Sequence, residues 1–394
     1  MRFGEGFELD EARRELRRDG APVPIEPQVF DLLAHLLRCR DHVVTRDDML
    51  AAVWGGRIVS DSTLDSRINA ARRAIGDSGE RQALIRTMAK RGFRFVGEVR
   101  DAPAEVAPPA PTPDTALRQE VTFCRTPDGV TLAVAVAGEG PVLVRAGNWL
   151  THVEHDANSP IWAPQLDRLA RRNRLVRYDV RGNGLSDREV AEVSPEAFLM
   201  DLETVVDAQR LERFALIGAS QGGAMAIAYA AKHPGRVAKL VLAGAYARGR
   251  NRRGVPVERE TAAAMMTLMR EGWGDERSAF MRAFSSVYVP SGSPEQLRWW
   301  VDSQRKATSA GMAVRLRAAC DDIDVSALLP QVRAPTLVLH GRGDCVAPFA
   351  EGRLIAAGIP GARFVELESD NHVILEGEPA WPRYMQEIER FLAE

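Results

Sequence analysis

Ser220 stands in Gly218-Ala219-Ser220-Gln221-Gly222, between an apolar run, Phe214-Ala215-Leu216-Ile217, and a small, helix-prone run from Gly223 to Ala231. A hydroxyl is a weak nucleophile until the backbone lifts it clear of its neighbours and a base takes its proton. Strand, G-x-S-x-G, helix is the context that achieves the first. Glycines two before and two after the serine let strand and helix approach closely, and the tight turn between them presents the hydroxyl. The spacing predicts a nucleophile elbow at Ser220.

The base and the acid that orients it must come from elsewhere in the chain. After an apolar segment at 335–340 the sequence reads His340-Gly341-Arg342-Gly343-Asp344, and after a second at 363–367 it reads Glu368-Ser369-Asp370-Asn371-His372-Val373. Loops just past the carboxyl ends of parallel strands form the catalytic edge of such a sheet. This places His372 as the base and Asp344 as the acid. Asp370, two residues from His372, is a rival that would have difficulty folding back on the imidazole. His340 lies inside its strand as a core or supporting residue, and His152 and His155 are candidates to line a pocket. An oxyanion needs two N–H donors. The backbone of Gln221, directly after the nucleophile, is one. Asn148, in Ala146-Gly147-Asn148-Trp149 after the strand Val142–Arg145, is the other.

The elements that must hold these residues alternate. Strand patterns at 119–124, 131–136, 141–146, 174–179, 213–218, 238–244, 335–340 and 363–367, with helices between most of them, predict an α/β domain over 118–394 with a mostly parallel sheet. Residues 250–328 break the alternation with helical pattern and read as a cap over the catalytic edge. Its Trp273, Phe280, Phe284, Trp299 and Trp300 would favour an apolar or aromatic acyl compound, or simply pack cap helices.

This region resembles the α/β-hydrolase family in the elbow, in the order Ser220…Asp344…His372, and in Asp179-Val180-Arg181-Gly182-Asn183-Gly184-Leu185-Ser186. It is similar at Ala146-Gly147-Asn148 too, except that alanine stands where the family has histidine. The resemblance implies a serine hydrolase of the esterase or carbon–carbon-hydrolase type that needs no cofactor. The serine sets it apart from the epoxide hydrolases and haloalkane dehalogenases, which use an aspartate.

Residues 1–100 have a different pattern. Short strand-like pieces at 7–9, 14–16 and 23–25 precede a helix over 28–40 with Val29, Leu32, Leu33, Leu36 and Leu37 on one face. Thr45-Arg46-Asp47-Asp48 resembles a capping box opening a helix through Trp54, which Gly55-Gly56 ends. A third helix, Ser62–Ile75, turns Leu64, Ile68, Ala71 and Ile75 inward. Steps of 100° then put Ser62, Ser66, Asn69, Ala70 and Arg73 on the opposite face, with Arg67 and Arg72 on the flanks. That face suits a DNA major groove, the flanks suit phosphates, and a hairpin with Lys90 and Arg91 at its tip could reach the backbone or minor groove. Charge agrees: residues 57–100 hold ten Arg/Lys against five Asp/Glu, whereas 1–56 hold eight against eleven.

Thr45–Leu50, Val53-Trp54, Ser62–Asn69, Arg73–Gly76 and Ile85-Arg86-Thr87…Arg91-Gly92-Phe93-Arg94-Phe95 resemble the OmpR/PhoB-type winged-helix domain across nearly all of 1–98. The resemblance implies transcriptional regulation on double-stranded DNA. It assigns recognition-helix contacts to Ser62, Ser66, Arg67, Asn69, Ala70, Arg72 and Arg73, and wing contacts to Thr87 and Arg91. Neither a receiver domain ahead of it nor a membrane anchor behind it, as the CadC-like relatives have, is expected from the sequence.

Residues 101–117 carry five prolines and almost nothing to bury, a linker reaching roughly 50 Å at ~3.1 Å per residue. The four cysteines are scattered, without CxxC or a histidine at metal-ligand spacing, so neither disulfides nor a metal site are expected. With no signal peptide and no apolar span, the protein is expected in the cytoplasm. The expected whole is a DNA-binding regulator whose hydrolase domain binds and hydrolyses a small ester-like or acyl effector. A homodimer is the expected route of communication across so long a linker, although no dimer interface is legible. Two other readings stand beside it: a regulator with a non-catalytic, hydrolase-fold sensor, and a metabolic hydrolase whose winged helix binds a protein.

Overall fold

The computed structural model describes residues 1–4, 6–10, 14–54, 61–88, 91–97, 99–100, 117–274 and 279–394. Gly55-Gly56, Lys90 and the Pro-rich stretch 101–116 lie outside the described residues. The chain divides into two compact units, Met1–Thr112 and Pro113–Glu394.

In the first unit, β1 (Arg2–Phe3), β2 (Phe7–Asp10), β3 (Glu15–Arg18) and β4 (Ala21–Val23) precede three helices. These are α1 (Pro27–Arg38), α2 (Arg46–Trp54) and α3 (Asp61–Ala74). A hairpin, β5 (Ile85–Met88) with β6 (Gly92–Phe95), and β7 (Val99–Arg100) complete the unit. The antiparallel sheet runs β4-β3-β2-β1-β7, and β5-β6 pairs separately. Leu32, Leu33, Leu36 and Leu37 of α1 meet Leu64, Ile68, Ala71 and Ile75 of the α3 segment in one core. Burying each large aliphatic side chain contributes roughly 1.5–3 kcal/mol. The capping box forms as the sequence predicts: Asp48 N–H donates to Thr45 Oγ1 at 3.1 Å, and Thr45 N–H to Asp48 Oδ2 at 3.4 Å. Asp therefore replaces Glu in the box without loss of either bond.

The second unit is an eight-stranded sheet in the order β15-β14-β13-β12-β10-β11-β9-β8. Its strands are β8 (Gln119–Arg125), β9 (Thr131–Ala137), β10 (Val142–Arg145), β11 (Arg174–Tyr178), β12 (Phe214–Ala219), β13 (Val237–Ala243), β14 (Thr336–Gly341) and β15 (Arg363–Leu367). From β11 through β15 neighbours pair in parallel, while β8 and β9 are antiparallel. Helices α4 (Val153–Asp156), α5 (Ala163–Ala170), α6 (Pro195–Ala208) and α7 (Gln221–Lys232) connect the earlier strands. Between β13 and β14 stand α8 (Pro256–Gly272), α9 (Ala279–Tyr288), α10 (Pro294–Ala307) and α11 (Ala310–Asp321), followed at the far end by α12 (Phe349–Gly358) and α13 (Trp381–Ala393). The central strands β10 to β14 are largely apolar on both faces, as parallel strands covered on both sides by helices require. The loop after β11 is structural: the fully buried Arg181 bonds Asp201 and Asp128, each at 2.7 Å.

Candidate active site and nucleic-acid face

Ser220 ends β12 and begins α7 with φ +52° and ψ −128°, a left-handed conformation that costs a side-chain-bearing residue of order 1–3 kcal/mol. The glycines around it make the turn possible. A Cβ on Gly218 would come within 2.6 Å of the Gly222 carbonyl oxygen, and one on Gly222 within 2.8 Å of the Gly147 oxygen. Small residues are thus required on both sides of the serine, and the second of them lets α7 rest on the turn after β10.

His372 lies on the loop after β15. Its Nδ1 is 2.7 Å from Asp344 Oδ2, and both side chains are almost fully buried. Asp344 Oδ1 accepts the Val346 and Ala347 N–H groups at 2.8 and 2.9 Å, leaving Oδ2 for the imidazole. Asp370 is exposed. His340 is buried, with Nε2 donating to the Ala347 carbonyl at 2.8 Å, so it braces the Asp344 loop. Tyr288, at the end of α9, accepts the His372 N–H at 2.9 Å and lays its ring 5.8 Å from the imidazole. Nothing local in the sequence marks Tyr288 for this place, which the packing of α9 on the His372 loop creates.

Ser220, His372 and Asn148 line one cleft, with about 600 Å³ of empty space open to solvent. Gln221 occupies the first position of α7, where a backbone N–H has no intrahelical acceptor. Gln221 thus follows the serine at the start of α7, and Asn148 lines the serine's cleft from the turn after β10. The cap aromatics divide. Trp300 lines the cleft. Phe284, together with Trp300 and His152, lines an adjoining recess. Trp273 stacks on Trp149 at 6.0 Å, Phe280 packs on Phe284 at 5.4 Å, and Trp299 stacks on His155 at 4.6 Å. Some of these rings therefore line the cleft and its recess, while others pack against neighbouring rings.

On α3, Ser62, Ser66, Asn69 and Arg73 are exposed, and Ala70 and Arg67 half-buried. Arg67 is paired with Glu26. Thr87 and Arg91 are exposed at the hairpin. Arg72 departs from its expected flanking place. It is 4% exposed, and its guanidinium donates to the Ile85 carbonyl and to Thr87 Oγ1. At the edge of the apolar stripe, its long stem buries and its head is drawn to hairpin acceptors instead of phosphates. Burial, partly offset by Asp77, lowers its pKa. Burial alone would raise the Asp77 carboxyl, but N–H groups of Ile85, Leu84, Ala83 and Ser78 hold it below the usual carboxylate range. The far strand is fixed as well: Val44 and Phe93 exchange backbone bonds of 2.8 and 2.9 Å.

Comparison with known proteins agrees with both descriptions. Residues 150–379 match the alpha/beta hydrolase fold family, and residues 20–95 match the family of transcriptional regulatory protein C-terminal domains. The AB hydrolase superfamily protein YisY of Bacillus subtilis is 29% identical over 255 residues, covering 64% of this chain and 91% of that protein. A pimeloyl-[acyl-carrier protein] methyl ester esterase of Nitrosomonas europaea is 30% identical over 241 residues, covering 60% and 90%. The crystal structure of a hydrolase from Pseudomonas aeruginosa superposes with a TM-score of 0.57 at 26% identity, over 70% of this chain and 99% of that one. Among the described residues no helix is long and apolar enough to cross a membrane. Over the greater part of its length the chain belongs to the alpha/beta hydrolase fold family, and it carries an OmpR/PhoB-type DNA-binding domain at its front.

Proposed function

We propose that this protein is a transcriptional regulator whose hydrolase unit cleaves a small ester-like acyl effector. The observation that carries the enzymatic half is the Asp344–His372 contact of 2.7 Å, beside a serine held at φ +52° on the same cleft. A pure receptor would need neither the strained backbone nor the buried histidine–carboxylate hydrogen bond.

In the proposed reaction Ser220 Oγ attacks the carbonyl carbon while His372 Nε2 accepts its proton. Asp344, hydrogen-bonded at Nδ1, holds the ring and balances the imidazolium. The oxyanion rests between the N–H groups of Gln221 and Asn148. As the carbonyl reforms, the alcohol leaves with the proton from His372. Water then attacks the acyl-enzyme, giving its proton to His372, and the acid is released with Ser220 restored. The esterase named among the relatives supports this reaction class. On the front unit, Ser62, Ser66, Asn69, Ala70 and Arg73 would meet base edges, with Arg67, Thr87 and Arg91 at the backbone. Coupling between the two activities would run through a homodimer in the cytoplasm.

A fluorophosphonate probe tests the nucleophile. It is expected to label the purified chain, and Ser220→Ala and His372→Ala are each expected to abolish labelling. A folded wild-type protein that resists labelling would reduce the rear unit to a ligand receptor. A gel shift on genomic fragments under rising salt tests the DNA half, and retention of affinity without any salt dependence would overturn it.

A further inference from the structure

Ser220 borders two spaces. One is the cleft walled by Trp162, Trp300 and Ile374. The other, about 340 Å³ when space open to solvent is counted, is lined on the cap side by Arg250, Arg253, Arg317, Asp321, Tyr246 and Gln221. Trp149, Tyr288 and Ser220 belong to both. A ligand with its carbonyl at Ser220 can therefore place one end among aromatic rings and the other among guanidiniums.

The charges of this second lobe do not balance. Arg317 is paired with Asp321 at 3.1 Å, donates to the Tyr288 hydroxyl at 3.3 Å and lies over the Trp149 ring at 5.3 Å. Arg253 is paired with Glu258 at 3.3 Å, donates to the Arg248 carbonyl and covers Tyr246. Arg250 makes no hydrogen bond or ion pair among the described residues, although it is half-buried. Burial and then the neighbouring Arg317 lower its pKa, against a smaller opposing pull from Asp321, whose carboxylate is already paired with Arg317. Two buried polar atoms of the lining also lack partners: Gln221 Nε2, on a residue 2% exposed, and Trp149 Nε1. Both are donors. An unpaired guanidinium and two orphan N–H donors form a place short of an acceptor-rich anion, since buried polar groups left unmade are costly.

We infer that the substrate is an ester or lactone carrying a carboxylate, which Arg250 binds in this lobe with the side-chain N–H groups of Gln221 and Trp149, while the apolar part lies against Trp162 and Trp300. This rests on the hydrolase reading of Ser220 and narrows it to an anionic acyl compound. Arg317, fixed by Asp321 and Tyr288, positions the wall; Arg250 is the specificity residue.

Two assays separate the inference from the reading beneath it. In the first, kcat/KM is compared for mono-p-nitrophenyl glutarate and p-nitrophenyl pentanoate, which differ in the terminal carboxylate. The wild type is expected to favour the glutarate at least tenfold. Arg250→Met should erase that ratio and Arg250→Lys should restore part of it. In the second, Ser220→Ala is titrated calorimetrically with monomethyl glutarate, dimethyl glutarate and inorganic phosphate, with and without Arg250→Met. Tenfold tighter binding of the monoanion, dependent on Arg250, is expected. If neither ester turns over but this binding holds, the hydrolytic reading fails and the carboxylate site stands. Equal non-zero turnover of the two esters, or equal binding of the charged and neutral compounds, overturns the site. Inorganic phosphate that binds as tightly as monomethyl glutarate overturns its assignment to a carboxylate.

Discussion

Arg72 and Asp77 hold the same residue from opposite sides. Arg72 Nε and Nη2 donate to the Ile85 carbonyl at 3.2 and 2.9 Å, and Asp77 Oδ2 accepts the Ile85 N–H at 2.9 Å. Ile85 begins the hairpin whose far end carries Arg91, and both gripping residues lie on or just after the helix expected to enter DNA. The pair thus ties the hairpin to α3, the two elements proposed to meet DNA.

Arg72→Ala and Arg73→Ala should therefore behave differently despite being neighbours. Loss of Arg72 strips the buried Ile85 carbonyl of its side-chain donor and is expected to destabilise the front unit by about 1–3 kcal/mol. Arg73→Ala should leave stability within about 0.5 kcal/mol. With Arg73 at a base edge, its loss should weaken binding to the preferred sequence by about 1–3 kcal/mol and leave the slope of log affinity against log salt nearly unchanged. Thermal unfolding of the full chain and salt-dependent gel shifts read the two effects. Equal melting losses in both variants would remove the distinction.

Asp344→Asn keeps the shape of the contact but cannot balance a charged imidazole. The rate of phosphonate labelling is expected to fall by about 10³–10⁴ with the circular dichroism spectrum unchanged. Asp370→Asn, on an exposed residue, should label at the wild-type rate. The reverse ranking would give the orienting role to Asp370.

Gly222→Ala would bring a methyl group within 2.8 and 2.9 Å of the Gly147 and Ala146 carbonyl oxygens. The start of α7 must then move away from the β10 turn, separating Gln221 from Asn148. We expect a stability loss of about 1–3 kcal/mol and a fall in kcat of about 10²–10³, the effect of losing one oxyanion donor. Esterase assays and melting curves on the one variant measure both, and unaltered kcat would dissociate this close approach from catalysis.

His155 gives the rear unit a pH dependence of known sign. Its side chain is 16% exposed. Burial, then Lys306, lower its pKa from 6.5 to about 4, despite Asp302 at 3.8 Å. Between those values the unfolded chain binds more protons than the folded one. The neutral, Trp299-stacked ring therefore contributes its full stability above pH 6.5 and progressively less as pH falls towards 4, with a slope approaching ~1.4 kcal/mol per pH unit. His155→Phe should flatten the melting temperature over this range. Parallel curves for variant and wild type would exclude His155 as the source.

What the sequence determined by itself was local or ordered along the chain. The elbow was legible because strand, glycines, serine and helix are contiguous, and the sheet because each strand announces its own apolar run. The capping box and the inward row Leu64, Ile68, Ala71, Ile75 followed from helical spacing. Asp344 and His372 could be named because each follows a strand, although only the folded loops bring them to 2.7 Å. The tertiary structure decided the rest. Arg72 sits where 100° steps leave a side chain at the border of core and solvent, and the nearby Ile85 carbonyl, which spacing on one helix does not reveal, turned it inward. The unbalanced lobe beside Ser220 gathers Arg250, Arg317 and Gln221 from three separate elements. Its chemistry lies in which guanidinium is left without a carboxylate, and that is known only once every partner has been placed.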